Sequence, residues 1–271
     1  MIMSVTSLSM LFGVAIGAVL GMTGAGGGVL AVPALMFGLG MTITNAAPIA
    51  LIAVGLGAFI GSLSGLRRGL VRYRAAILMA CFGSACAPVG IWLAHRTSPA
   101  VLTIVFCIVM VLIAGRMIGQ ITHRNVGDNH EVLAVHQCVV DSETGRFKWD
   151  LRCGLTLAGI GSIAGLFTGM LGVGGGFIIV PAFRHFSNLS LSASSATSLS
   201  VITIVSFSTV AGTLLHGAPI SAIGWTFIVT TSAGMLAGRS LSTRLPTHLL
   251  QGIFAITVLL VAVSLFFKTI L

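Results

Sequence analysis

The sequence predicts an all-helical protein that crosses a membrane many times, and three observations predict it. Of its 271 residues 56% are hydrophobic and only 7% charged, with a mean hydropathy of +1.10, whereas a soluble domain carries about 25% charged residues. Apolar runs long enough to cross ~30 Å of hydrocarbon recur along the chain. A glycine-rich passage is written twice: GMTGAGGGVLAVPAL at 21–35 and GMLGVGGGFIIVPAF at 169–183 share nine of fifteen letters.

In chain order, spans are expected over 5–22, 45–66, 75–94, 99–119, 151–170, 193–215, 220–238 and 247–267, each near the twenty or so residues a crossing helix needs. Two shorter apolar stretches, 29–43 and 177–191, follow the glycine clusters, and each contains a proline. They read as short broken helices or as re-entrant segments. The first sixteen residues carry no Lys or Arg, so the charged n-region of a secretory peptide is absent and the first span is expected to stay in the mature protein.

The offset of 148 extends beyond the glycine passage. Gly13, Gly17 and Gly21 match Gly161, Gly165 and Gly169; Ser84, Ala85 and Gly90 match Ser232, Ala233 and Gly238; Arg96 matches Arg244. The chain therefore reads as two repeats, 1–119 and 151–271, joined by a polar linker at 120–150. Duplicated halves suit a secondary transporter, whose site lies between repeats near the midplane. The Gly13-Gly17-Gly21 spacing and its copy form a ridge of small residues that lets helices approach closely.

Orientation depends on the two short stretches. If they cross, each half has five crossings and the halves are inverted; if they re-enter, each has four and the halves are parallel. The inverted arrangement leaves only Arg96 and Lys268 of the 14 Lys and Arg residues outside. The parallel one leaves Arg96, Arg184, Arg239 and Arg244 outside. The positive-inside rule favours the inverted arrangement.

All five acidic residues lie between 128 and 150, so no expected span holds a carboxylate. The formal charge of +9 sits in short loops between apolar runs, where membrane orientation accounts for it and nucleic acid is not implied. The linker reads as cytoplasmic and solvated, with a small hairpin from EVLAVHQCVV through DSETG to RFKW. Its His123, His130, His136 and Cys138 match no standard metal spacing, and no cofactor is expected. The five cysteines contain no CxxC and suggest no disulfide framework.

Consecutive glycines at membrane depth break a helix and free backbone N–H and C=O groups, which must then face protein, water or a ligand. Helix N-termini carry unpaired N–H donors and partial positive charge, so two such breaks facing each other would make an anion pocket. Neither cluster is a nucleotide fingerprint: Val29 and Phe177 stand where G-x-G-x-x-G requires glycine, and no GK[ST] follows.

The paired GxGGG…VP passages, with ASSATSL at 193–199 in a duplicated helical body, resemble the sulfite exporter TauE/SafE family, also called the toluene sulfonate uptake permease family. The resemblance covers nearly the whole chain. It implies a bacterial inner-membrane transporter for small sulfur-containing anions (sulfite, sulfoacetate, thiosulfate or organosulfonates), most simply an exporter. The family's glycine motif falls on Gly24, Gly26, Gly27, Gly28 and Pro33, and again on Gly172, Gly174, Gly175, Gly176 and Pro181. Its A-T-S-L pattern falls on Ala196 to Leu199. The first half has Ala-Pro-Ile-Ala-Leu at 47–51 instead, without the hydroxyls.

The hydroxyls of Ser194, Thr197 and Ser198 either line the path or bond their own helix carbonyls. Arg68 and His216 are equivalent positions at the ends of apolar runs; with His185, they either hold an anion at a pathway mouth or reach to interfacial water. Two other functions are weaker. An intramembrane serine protease needs G-x-S-G, and the Ser64-Gly65 pair follows Ser62. An anion channel shares the donor-lined pore, and uptake of a sulfonate or other organic anion is the reverse direction.

Overall fold

A computed structural model describes residues 2–23, 28–124, 138, 150–187, 189–215, 222–242 and 247–270. Among them are ten helices and no strand. The helices are α1 (Ile2–Thr23), α2 (Ala31–Gly38), α3 (Ile43–Arg67), α4 (Tyr73–Arg96), α5 (Pro99–Arg124), α6 (Leu151–Leu171), α7 (Gly176–Phe186), α8 (Leu191–Leu215), α9 (Ala222–Ser242) and α10 (Thr247–Ile270). Among the described residues, α3, α4, α5, α6 and α8 are long and apolar enough to cross a membrane. The two doubtful stretches are helices of 8 and 11 residues, or ~12 and ~16 Å, too short to span alone.

Packing follows from small residues. A Cβ on Gly165 would run into the backbone of Gly83, one on Gly169 into Ala87, and one on Gly90 into Leu166. This close approach presses α4 against α6, and both run in the same direction, since Met79, Gly83 and Ala87 meet Gly161, Gly165 and Gly169 in order. α1 and α9 also run parallel: Val14 meets Gly234 and Ala18 meets Gly238. The small-residue ridges thus serve helix contact, where lipid supplies no hydrophobic drive and van der Waals packing must hold the pair.

α3 and α8 cross at the centre and are the most buried of the long apolar helices. They run antiparallel, with Ser62 on Ser200, Gly65 on Ala196 and Gly55 on Ser206. α8 runs parallel to α4, from Arg72 beside Thr197 to Ser84 beside Ser208. α5 and α10 pack on each other outside this centre. Large apolar side chains such as Leu11, Trp92, Leu112, Leu155, Val229 and Leu260 face outward, as a lipid-exposed shell requires.

The expectation about cysteines is corrected here. Cys138 and Cys153 form a disulfide, and the backbone N–H of Cys138 donates to the Phe186 carbonyl at 3.0 Å. Cys138 thus lies against both the start of α6 and the end of α7, a proximity that a 15-residue separation does not reveal. Beyond Cys138, the expected hairpin lies outside the described residues, as do His130 and His136.

Candidate functional site

α6 ends at Gly172, whose φ of 74° is left-handed, and Gly174 and Gly175 follow at φ 80° and 64°. Three such residues in four positions turn the chain sharply, in a conformation that costs other residues roughly 1–2 kcal/mol each. α7 then starts with Gly175 as its cap. The Gly175 carbonyl accepts from Ile178 and Ile179 at 3.0 and 3.3 Å, and no side chain caps the first turn, so its leading N–H groups have no helical acceptor.

Gly28, the last glycine of the first cluster, meets the second. A Cβ on Gly28 would stand 2.9 Å from the Val173 carbonyl and 3.1 Å from Val54; one on Gly174 would stand 3.1 Å from both Val54 and Ile202 and 3.8 Å from Ser206 Oγ. Val54 and Ile202 are each the twelfth residue of a 25-residue helix. Gly28 and the Gly172–Gly175 turn are therefore brought together halfway along the two central helices, just ahead of α2 and α7. The surroundings are apolar apart from backbone and hydroxyls. Ser206 Oγ is buried with no hydrogen-bond partner, though a buried hydroxyl left unpaired costs about 1–3 kcal/mol. Partial positive charge at the start of α7 and an unused O–H suit an acceptor-rich, negatively charged guest.

The remaining expected residues separate into groups. Gly24, Gly26, Gly27 and His216 lie outside the described residues. Gly172 and Gly175 are closed by packing, against Ala47 and against the Ala164 carbonyl and Thr168 respectively. Gly176 begins α7, and Pro33 and Pro181 lie within α2 and α7. Thr197 and Ser198 donate to the carbonyls of Ala193 and Ser194 at 2.7 and 2.8 Å, whereas Ser194 Oγ is buried without a partner. Arg68 follows the end of α3 and is exposed; His185 is exposed near the end of α7, edge-on to Phe186. Neither joins the central cluster. Among the described residues, no three His, Cys, Asp or Glu side chains come together.

Val54, Ser206 and Arg72 were not singled out in the sequence. For Ser206 the available signal is weak: it is one of many hydroxyls in α8, and the residue 148 positions before it is Ala58.

Five helices long and apolar enough to cross a membrane, with two short helices starting near the middle of the central pair, define a polytopic membrane protein. The chain matches the sulfite exporter TauE/SafE family over residues 9–265 and belongs to it. It is 25% identical over 261 residues to a probable membrane transporter protein of Xylella fastidiosa strain Temecula1, covering 94% of this chain and 92% of that one. It is also 28% identical over 271 residues to the probable membrane transporter protein MamO of Magnetospirillum gryphiswaldense, covering 90% of this chain but 42% of that longer protein. No solved structure matches the chain.

Proposed function

We propose that this protein is a secondary transporter that moves a small sulfur-containing anion, such as sulfite, thiosulfate, sulfoacetate or an organosulfonate, across the bacterial inner membrane, with export as its default direction. The observation that carries this is the meeting of Gly28 with the Gly172–Gly175 turn beside the unpartnered Ser206 hydroxyl. The Ser206 hydroxyl and the start of α7 supply donors there, and all five acidic residues lie between 128 and 150 in the sequence, so the described helices carry no carboxylate. A cation would find only carbonyls and hydroxyls; an anion finds N–H groups at a helix start. Membership of the family supports the choice of sulfur oxyanions.

The halves are inverted in this reading. Its support is direction: α6 and α8 both run parallel to α4, so the chain between them returns to the end where α6 starts, with α7 as part of that return. The pairings α1 with α9 and α4 with α6 exchange under the offset of 148, and so do the bounds of α3 and α8. Alternating access follows if one half rocks against the other about the central cluster.

The test is flux from proteoliposomes loaded with a panel of sulfite, thiosulfate, sulfoacetate, taurine, chloride and sodium, with voltage imposed. Saturable flux of one or more sulfur anions, lost in Ser206→Ala, supports the proposal. Flux of sodium alone, or of none of the panel, rejects it, and ohmic currents far above carrier turnover reassign the protein as a channel.

A further inference from the structure

A second pair of unused polar groups lies at the arginine-rich end, away from the central cluster. The chain turns from α3 into α4 through Arg68 to Arg72, and the Arg72 backbone N–H donates to Thr197 Oγ1 at 3.1 Å. Thr197 donates in turn to the Ala193 carbonyl at 2.7 Å, so this connection is pinned to the early turns of α8. The side chain of Arg72 is not matched in the same way. Its Nε is buried and has no acceptor.

Ser194 stands three residues before Thr197, a spacing that puts the two on one helix face. Its hydroxyl is fully buried and also without a partner. Thr197, Ser198 and Ser200 nearby each bond the carbonyl four residues back, so the helix offers that solution and Ser194 does not take it. A buried guanidinium N–H without an acceptor is costly, more so than a neutral donor. Asp150, the one acid among the described residues, accepts instead from the Leu151 N–H at 2.8 Å. A charged acceptor from outside the chain is what fits.

We infer that the Arg72 guanidinium and the Ser194 hydroxyl, at the start of α8, form a docking site for a small free oxyanion at the arginine-rich mouth. The guanidinium supplies charge-assisted donors in a fixed plane that suits the oxygens of a sulfur or phosphorus oxyanion. Ser194 adds a neutral donor, and the positive end of the α8 dipole favours the same sign. Arg67, Arg68 and Arg74, exposed around it, raise the local concentration of anions. The site itself stands apart from the transport reading; that its occupant is substrate waiting to enter rests on that reading.

The experiment uses the full-length protein in nanodiscs of phosphatidylcholine alone or with phosphatidylglycerol, titrated with sulfite and with sulfate by calorimetry. Arg72→Gln and Ser194→Ala should each raise the half-saturating concentration roughly tenfold, while Arg96→Gln, exposed at the opposite end of α4, changes it little. Arg72→Lys keeps the charge and drops Nε; it should fall between wild type and Arg72→Gln, and serves if Arg72→Gln does not fold. Unchanged binding in Arg72→Lys and Ser194→Ala overturns the inference, as does a wild type that binds neither ion. An Arg72 effect seen only with phosphatidylglycerol present, and indifferent to sulfite, assigns the pair to a lipid headgroup and also overturns it. Arg72-dependent sulfate binding in a protein that transports no panel anion would sink the transport reading and leave this site standing.

Discussion

The hydroxyls of Ser62 and Ser200 stand 2.8 Å apart, so the crossing of α3 and α8 carries a buried polar contact between residues 138 positions apart in the chain. If transport needs these helices to shift, fixing that contact must stop it. Cysteines at both positions, oxidised to a crosslink, should bring flux to background, with recovery on reduction. The single variant Ser62→Cys, treated identically, should be unaffected. Full flux in the crosslinked protein would contradict rocking about this crossing.

Ser206 gives a prediction in which stability and function move apart. Removing a buried hydroxyl that has no partner should leave thermal stability unchanged or raise it, because the cost of the unpaired group, about 1–3 kcal/mol, disappears. Flux should nevertheless fall at least tenfold in Ser206→Ala. Parallel loss of both would mean that Ser206 is only a packing residue.

The glycines divide into those that hold helices together and those that do not. A side chain at Gly165 meets the Gly83 backbone, whereas nothing lies within 4 Å of a Cβ on Gly115 in α5. Gly165→Leu is expected to abolish folded, membrane-inserted protein in a detergent-stability assay. Gly115→Ala should be tolerated and gain up to about 1 kcal/mol of helix propensity.

Sidedness is tested by labelling. Cysteines replacing Arg67 and Asp150 should react from the cytoplasm, since both stand at the end where α3 finishes and α6 starts, and one beside His216 should react from outside. Cytoplasmic labelling next to His216 would reject the inverted halves.

The driving force follows from the missing carboxylates. An anion leaving a cell that is negative inside gains about 2.3 kcal/mol per charge for each 100 mV, enough for export without a coupling ion. Efflux should scale with voltage at fixed pH. Uphill accumulation at zero voltage under a proton gradient, surviving His216→Gln and His185→Gln, would require coupling by another route.

Helices and their packing were legible because apolar length and small-residue spacing are local properties: Gly161, Gly165 and Gly169 announce a contact face wherever they pack. The meeting of Gly28 with Val173 joins the two passages that the sequence writes alike. Hydroxyl roles were not legible. Ser194 and Ser198 read alike in α8, and only the neighbours of each oxygen show that Ser198 is spent on a carbonyl and Ser194 is not. The Cys138–Cys153 pair was missed because it depends on where a polar linker folds, which neither hydropathy nor spacing fixes.

That pair has a consequence for anyone who handles the protein. The bridge anchors Cys138 to the start of α6, and the Cys138 N–H reaches the Phe186 carbonyl at the end of α7, at the end of the molecule where Arg67 to Arg74 cluster. A bacterial cytosol keeps thiols reduced, whereas a purification in air does not. If that end faces the cytosol, a preparation is a mixture of two covalent populations, one with Cys138 bonded to Cys153 and one with both thiols free, in proportions set by the age and reductant of the sample. Turnover measured on such a mixture would report the history of the tube as much as the property of the transporter, and the free-thiol count belongs beside every rate.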